Sequence, residues 1–295
     1  MTIELDMTDV APEKGRSLRQ DARARLLHNR AAIAAMVVLF IIVCLAILVP
    51  MFSQYQIDDV DFDAIELPPT LLHSHFFGTD SLGRDMFVRT MFGARISLMI
   101  GLVATLVSLL IGVTYGAVAG YLGGRVDAWM MRFVDILYSL PFIFFVIILM
   151  VVFGRNIMLI FVALGAVEWL TMARIVRGQT LSLKSLDFIE AAVASGATTP
   201  AIIRRHILPN VLGPVIVYAT LTIPNVILVE SFLSFLGLGV QEPLTSWGVL
   251  ISEGAQQMET SPWLLIFPAF FLAVTLLCFN FLGDGLRDAL DPKDR

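Results

Sequence analysis

The stretch "EAAVASGATTPAIIRRHILPN", residues 190–210, separates two apolar runs, each long enough to cross a bilayer. Its own signals are local ones. Ser185 is expected to cap a helix whose first turn holds Asp187 and soon after Glu190, acids favoured at that end of the helix dipole. The body, 189–195, is mostly small, with Ala191, Ala192 and Ala194, and Gly196 supplies a C-terminal stop. Thr199 before Pro200 reads as an N-cap and a first helical residue, and the second helix, 200–208, is expected to end at Pro209. A helix of small residues buries little area in its own core. It does fit a groove on another rigid body, where backbone can approach backbone. Two readings stand on these residues: a docking element, or a basic loop that sets Arg204 and Arg205 against lipid headgroups.

Outward from this segment the chain is apolar. It is 57% hydrophobic and 15% charged, against about 45–50% and about 25% in soluble domains. Charge is absent from 31–57, 96–124, 136–154, 207–229 and 260–283, and 156–173 carries only Glu168. Each run reaches the roughly 17–25 residues a membrane helix needs. The expected fold class is therefore an all-α polytopic membrane protein with six transmembrane helices, near 31–52, 96–119, 136–154, 156–173, 211–229 and 263–282. The polar residues 1–30 resemble neither a signal nor a transit peptide. The first apolar run is too long for a signal h-region and lacks a small-x-small cleavage site, so it reads as an uncleaved anchor.

Basic residues set the orientation. Sixteen of the twenty Lys and Arg fall in 1–30, 120–135, 168–210 and 283–295, leaving only Arg84, Arg89, Arg95 and Arg155 on the other side. Both termini, the loop 182–210 and the tail 285–295 are expected in the cytoplasm, with loops 53–95 and 230–262 outside. The piece "SFLSFLGLGVQ" (231–241) would rise only about 15 Å as a helix and reads as re-entrant or interfacial. Trp129, Trp169, Trp247 and Trp263 near span ends look like interfacial belts.

Gly112, Gly116 and Gly120 form a small-xxx-small stripe in span 2, which lets another backbone come close. The stripe serves helix packing, within this chain or against a second membrane subunit. Pro214, Pro224 and Pro268 inside spans free backbone carbonyls and suit a pathway lining. Cys44 and Cys278 lie in spans and read as inert core residues.

Catalytic signatures are missing. No G-x-x-x-x-G-K-[ST], H-E-x-x-H or G-x-S-x-G occurs, and His73 with His75 reads as a solvated turn rather than a metal site. Neither catalytic nor metal-binding residues are expected, and no cofactor. Glu168 is an acid inside an apolar run, a functional hypothesis by default. Six residues before Arg174, it reads as half of an ion pair near the inner surface, or else as a proton relay.

Glu190-Ala191-Ala192, Gly196 after three further residues, and Leu208-Pro209 together resemble the E-A-A-x-x-x-G…I-x-L-P loop of ABC-importer membrane subunits. His206 stands where that pattern has isoleucine. "GTDSLGRD" (78–85), "GYLGGRVD" (120–127), "SFLGLG" (234–239) and "GDGLRDALDP" (283–292) resemble the peptide/nickel branch, so the similarity covers nearly the whole chain. The resemblance implies a type I importer permease fold, the ABC transmembrane type-1 domain spanning 96–284. It also implies a set of partners: a homologous permease subunit, two cytoplasmic ATP-binding subunits, an extracytoplasmic peptide-binding protein, peptide in transit and membrane lipid, but no nucleic acid. ATP would be hydrolysed on the partners, and this chain would not be an enzyme. The rival class is a proton-coupled secondary transporter acting alone. It can cite Glu168, but no inverted repeat supports it.

Overall fold

The computed structural model describes residues 18–71, 74–154 and 156–290. His73, Arg155, most of the N-terminal segment and residues 291–295 lie outside them. Among the described residues the chain is helical without a named strand. A short helix α1 (Leu18–His28) leads into α2 (Arg30–Phe52), capped by the Asn29 side chain, which accepts from the Ala32 N–H at 3.1 Å. Helix α2 is apolar all round, yet only Ala32, Ala35, Leu39, Ile42 and Ala46 are buried. Their three-and-four spacing makes one stripe, and the rest of the surface, Phe40 at 69% exposure included, is apolar but not buried by this chain.

Helix α3 (Met86–Ser108) passes through a π turn (Leu109–Val113) into α4 (Thr114–Leu122), giving 37 continuous residues. At about 1.5 Å per residue that exceeds the apolar thickness of a bilayer, so part of the stretch lies beyond it. Asp85 caps it, accepting from the Val88 N–H at 2.8 Å.

Helices α5 (Gly124–Ser139) and α6 (Phe142–Phe153) meet at a 78° bend. The expected straight span 136–154 is therefore not one helix. Pro141 has no N–H to continue α5 and holds Leu140 extended, at φ −74° and ψ 128°. The twelve residues of α6 rise only about 18 Å, and a crossing here needs the bent pair together.

Helix α7 (Ile157–Lys184) runs eleven residues past the expected end of span 4, because nothing after Arg174 breaks a helix. Then come α8 (Asp187–Ala194), α9 (Thr199–Ile202), a π turn (Ile203–Ile207) and α10 (Leu208–Phe235). The second helix does not end at Pro209. A π turn leaves the i−4 pattern just where the proline ring would crowd a carbonyl, and Thr199–Phe235 runs on as one stretch. Ser231–Phe235 is the last turn of α10, closed by Gly237 at φ +74°, so the segment 231–241 is no separate re-entrant helix. The short helix of this region is instead α11 (Trp247–Gln256), followed by α12 (Trp263–Leu290).

Among the described residues five stretches are long and apolar enough to span, and a sixth if the bent pair counts as one. Helix α7 packs along α3 and α4, while α12 packs on α2, α10 and α11. Two of the tryptophans expected at interfaces are core residues. Trp247 is fully buried and donates Nε1–H to the Thr90 carbonyl at 3.1 Å, and Trp169 packs edge-on to Tyr115. Trp129 alone of the four is largely exposed, at 76%.

Candidate functional site

The segment between α7 and α10 is built on one anchored face. Leu186 precedes α8 in an extended conformation without a side-chain cap, and Ser185 instead closes α7, its hydroxyl donating to the Ser182 carbonyl. Ile189 is 1% exposed and packs into a cluster with Ala117, Met172, Val176, Ile202, Ile207 and Val211. That cluster joins α8 to α4, α7 and α10. Ala192 lies half-buried against it, whereas Glu190 and Ala191 are exposed. Phe188 and Val193 also face outward, with Leu186 beside them. On the far side, Phe188 lies 6.4 Å from the ring of His206, the residue that replaces the pattern's isoleucine.

Gly196 adopts φ +78° and ends α8. The Ala197 N–H reaches back to the Ala192 carbonyl at 3.1 Å and the Gly196 N–H to that of Val193 at 2.9 Å, a Schellman closure. No neighbour lies near the position a Cβ would take, so the conformation alone calls for glycine. The next helix starts one residue earlier than expected, after Thr198, with Pro200 in its first turn. Leu208 and Pro209 lie inside the continuing helix, half-buried and exposed respectively, next to the exposed Arg204 and Arg205.

The glycine stripe lies on α7 of the same chain. A Cβ on Gly112 would stand 2.6 Å from Met172 Cβ, and one on Gly120 2.8 Å from Thr180 Cβ. Asp127 of α5 grips α7 as well, accepting from Arg177 Nε at 2.5 Å and Nη2 at 2.6 Å.

Glu168 does not pair with Arg174. Six residues turn an α-helix by about 600°, which puts the two on different faces. Arg174 bonds Asp135 at 2.8 Å and lies 4.2 Å over the Tyr138 ring. Glu168 instead accepts from Asn225 Nδ2 of α10 at 3.1 Å. A second acid was hidden from sequence reasoning. Glu230, fully buried in α10, accepts from Ser234 and Ser246 hydroxyls at 2.7 Å each, with Ser97 at 3.4 Å. Its signal was there: an i, i+4 Glu–Ser pair with apolar residues on both sides.

The loop before α3 folds into a cap. Asp80 accepts from the Leu82 and Arg84 N–H groups at 2.9 Å and pairs with both Arg84 and Arg89. Arg84 reaches Glu242 at 2.9 Å and Arg89 reaches Glu253 at 3.3 Å, tying the cap to the α10–α11 region. His75 is no solvated turn. It is buried, with Nδ1 2.8 Å from Asp85 Oδ2 and its ring stacked on Tyr55. Among the described residues no three metal-ligating side chains come together.

An all-α chain of this topology, with a helical hairpin held outside its bundle, has the form of an importer's membrane subunit. Residues 112–295 match the family described as binding-protein-dependent transport system inner membrane component, and the chain belongs to that family. Residues 17–69 match the N-terminal transmembrane domain of oligopeptide transport permease C. The chain is 62% identical over 282 residues to the oligopeptide transport system permease protein OppC of Escherichia coli K12, covering 96% of this chain and 93% of that protein. It is 58% identical to OppC of Haemophilus influenzae, covering 96% and 91%. With the dipeptide transport system permease protein DppC of Bacillus subtilis it shares 49% identity, covering 95% and 87%. The fold is shared with a chain of the inward-facing MetNI methionine ABC transporter, at TM-score 0.55 and 19% identity over 68% of this chain and 95% of that one.

Proposed function

We propose that this chain is a permease subunit of an ATP-driven oligopeptide importer in a bacterial inner membrane. It forms half of the translocation pathway and receives the ATPase stroke through α8. The observation that carries the reading is the two-sidedness of α8. Ile189 fixes one face to a core that includes pathway helices, while Glu190, Ala191 and the apolar Phe188 and Val193 are offered to something else. The partners are a homologous permease subunit (OppB-like), two ATP-binding subunits (OppD- and OppF-like) and an extracytoplasmic peptide-binding protein (OppA-like). The chain itself is non-catalytic, with both termini in the cytoplasm. Support comes from the family match and from the basic residues gathered on one side of the sequence.

Co-purification from the native membrane, followed by uptake in proteoliposomes, tests this. Peptide uptake should need ATP, the ATP-binding subunits and the binding protein. Uptake driven by a pH gradient with this chain alone would overturn it.

A further inference from the structure

A cleft of about 720 Å³ opens between the α5–α6 corner, α7 and α10. Its walls are mainly apolar, with Leu137, Leu140, Pro141 and Phe145 on one side and Val229 on the other. The polar groups converge on one place. Glu168 and Asn225 are hydrogen-bonded there, and Thr171, Tyr138 and Tyr218 also line the cleft. The volume and the ratio of apolar wall to few polar groups are those of a small-molecule site. Glu168 is the twelfth of the 28 residues of α7, well inside an apolar span. A carboxylate at that depth needs a partner. Asn225 supplies one neutral hydrogen bond, and among the described residues no cation pairs with it. The nearest basic residue along α7, Arg174, is already held by Asp135 and Tyr138.

We propose that Glu168 and Asn225 form a subsite for a primary ammonium group, the charge that a peptide brings at its amino terminus or on a lysine side chain. The inference rests on the peptide-importer reading and adds to it a point of contact within the membrane. The carboxylate answers the ammonium and the Asn225 carbonyl is free to accept from it. The apolar walls take a side chain without selecting among shapes. A single charge contact also keeps binding weak enough for release, as a pathway requires.

The test uses the purified complex with all its subunits, in detergent and without the binding protein, so that delivery does not select the ligand. The probe is a tripeptide with a photoreactive phenylalanine analogue, in three forms. One has a free amino terminus and no lysine, one is N-acetylated without lysine, and one is N-acetylated with lysine. The free-amine form should label α7 and α10 roughly tenfold more than the acetylated form without lysine, the size of one charge-assisted hydrogen bond. Glu168→Gln keeps the acceptor for Asn225 and removes only the charge, and it should abolish that difference. Glu168→Asp should restore part of it. Labelling by the acetylated lysine peptide that also depends on Glu168 assigns the subsite to either ammonium; its absence assigns it to the amino terminus. Equal labelling of wild type and Glu168→Gln overturns the subsite. So does a wild-type cleft that takes no probe because a partner helix fills it. ATP-driven uptake by the same wild-type preparation, measured with binding protein in liposomes, checks the importer reading separately.

Discussion

Gly116 and Ala173 meet backbone to backbone: a Cβ on Gly116 would overlap the Ala173 carbonyl oxygen and stand 3.0 Å from the Arg177 nitrogen. With Gly112 and Gly120 one turn to either side, this makes a tight helix seam between α4 and α7. The same α7 carries Glu168 and leads into α8. Gly116→Leu is expected to force the helices apart at about 1–3 kcal/mol, the scale of overpacked cores. A lower thermal midpoint and loss of partner subunits on size-exclusion chromatography would be the signs. Unchanged stability and assembly would show that the seam tolerates separation.

Glu230 predicts a larger loss. Its carboxylate gathers hydroxyls from α3, α10 and the start of α11, where Ser246 also caps the helix by accepting from the Val249 N–H. Glu230→Ala strands these buried donors and opens a cavity, at about 3 kcal/mol or more. Glu230→Gln keeps one acceptor oxygen and should fall between. Thermal unfolding of the three proteins ranks them, and equal midpoints would remove Glu230 from the fold's supports.

Glu253, on α11 outside the spans, gives a pH signature. Burial holds its carboxyl above the ordinary range, against the pull of Arg89 and Arg84, while Asp80 and Glu242 push the same way as burial. A carboxyl raised on folding binds its proton more tightly in the native state. Its contribution is therefore full below the ordinary value of 4.5 and is lost as pH rises through the raised one. Glu253→Gln should flatten the fall in stability above pH about 4.5. Parallel pH profiles for wild type and variant would refute the assignment.

These groups also mark what a linear reading reaches. Absence of charge marked five long apolar helices, because lipid tolerates few ions, but not the bend at Pro141 inside 136–154. The turn at Gly196 was legible because one residue type answers one backbone conformation. Helix ends were less so. Hydropathy stops at Arg174 although the ladder of α7 continues to Lys184, and Pro209 is a stop signal that a π turn carries the helix through. Pairings across helices were out of reach. Nothing in the spacing says that Asp127 meets Arg177, fifty residues on, or that Glu168 finds Asn225 rather than Arg174. Glu230 borders an apolar run, and only the packing of α11 over it shows that the helix continues past it to Phe235.

The coupling proposal is tested at Gly196 and Glu190. At φ +78° a β-branched residue is strained, so Gly196→Val should cost about 1–3 kcal/mol locally and tilt α8 away from α9. Gly196→Asn, which tolerates the left-handed region, should cost much less. Because nothing lies near a Cβ there, the difference between the two variants reports conformation and not crowding. Glu190 is exposed on the outward face, so Glu190→Lys should leave folding alone and weaken only attachment of an ATP-binding subunit. Ala192 faces the core, which makes Ala191 or Val193 the better place for a cysteine that bridges to a partner cleft. The expected result is a membrane-inserted Gly196→Val or Glu190→Lys permease that loses its ATP-binding subunits, or hydrolyses ATP without moving peptide. If both variants keep those subunits and their uptake, and the Ala191 cysteine bridges to nothing, α8 is a surface turn and the stroke enters elsewhere.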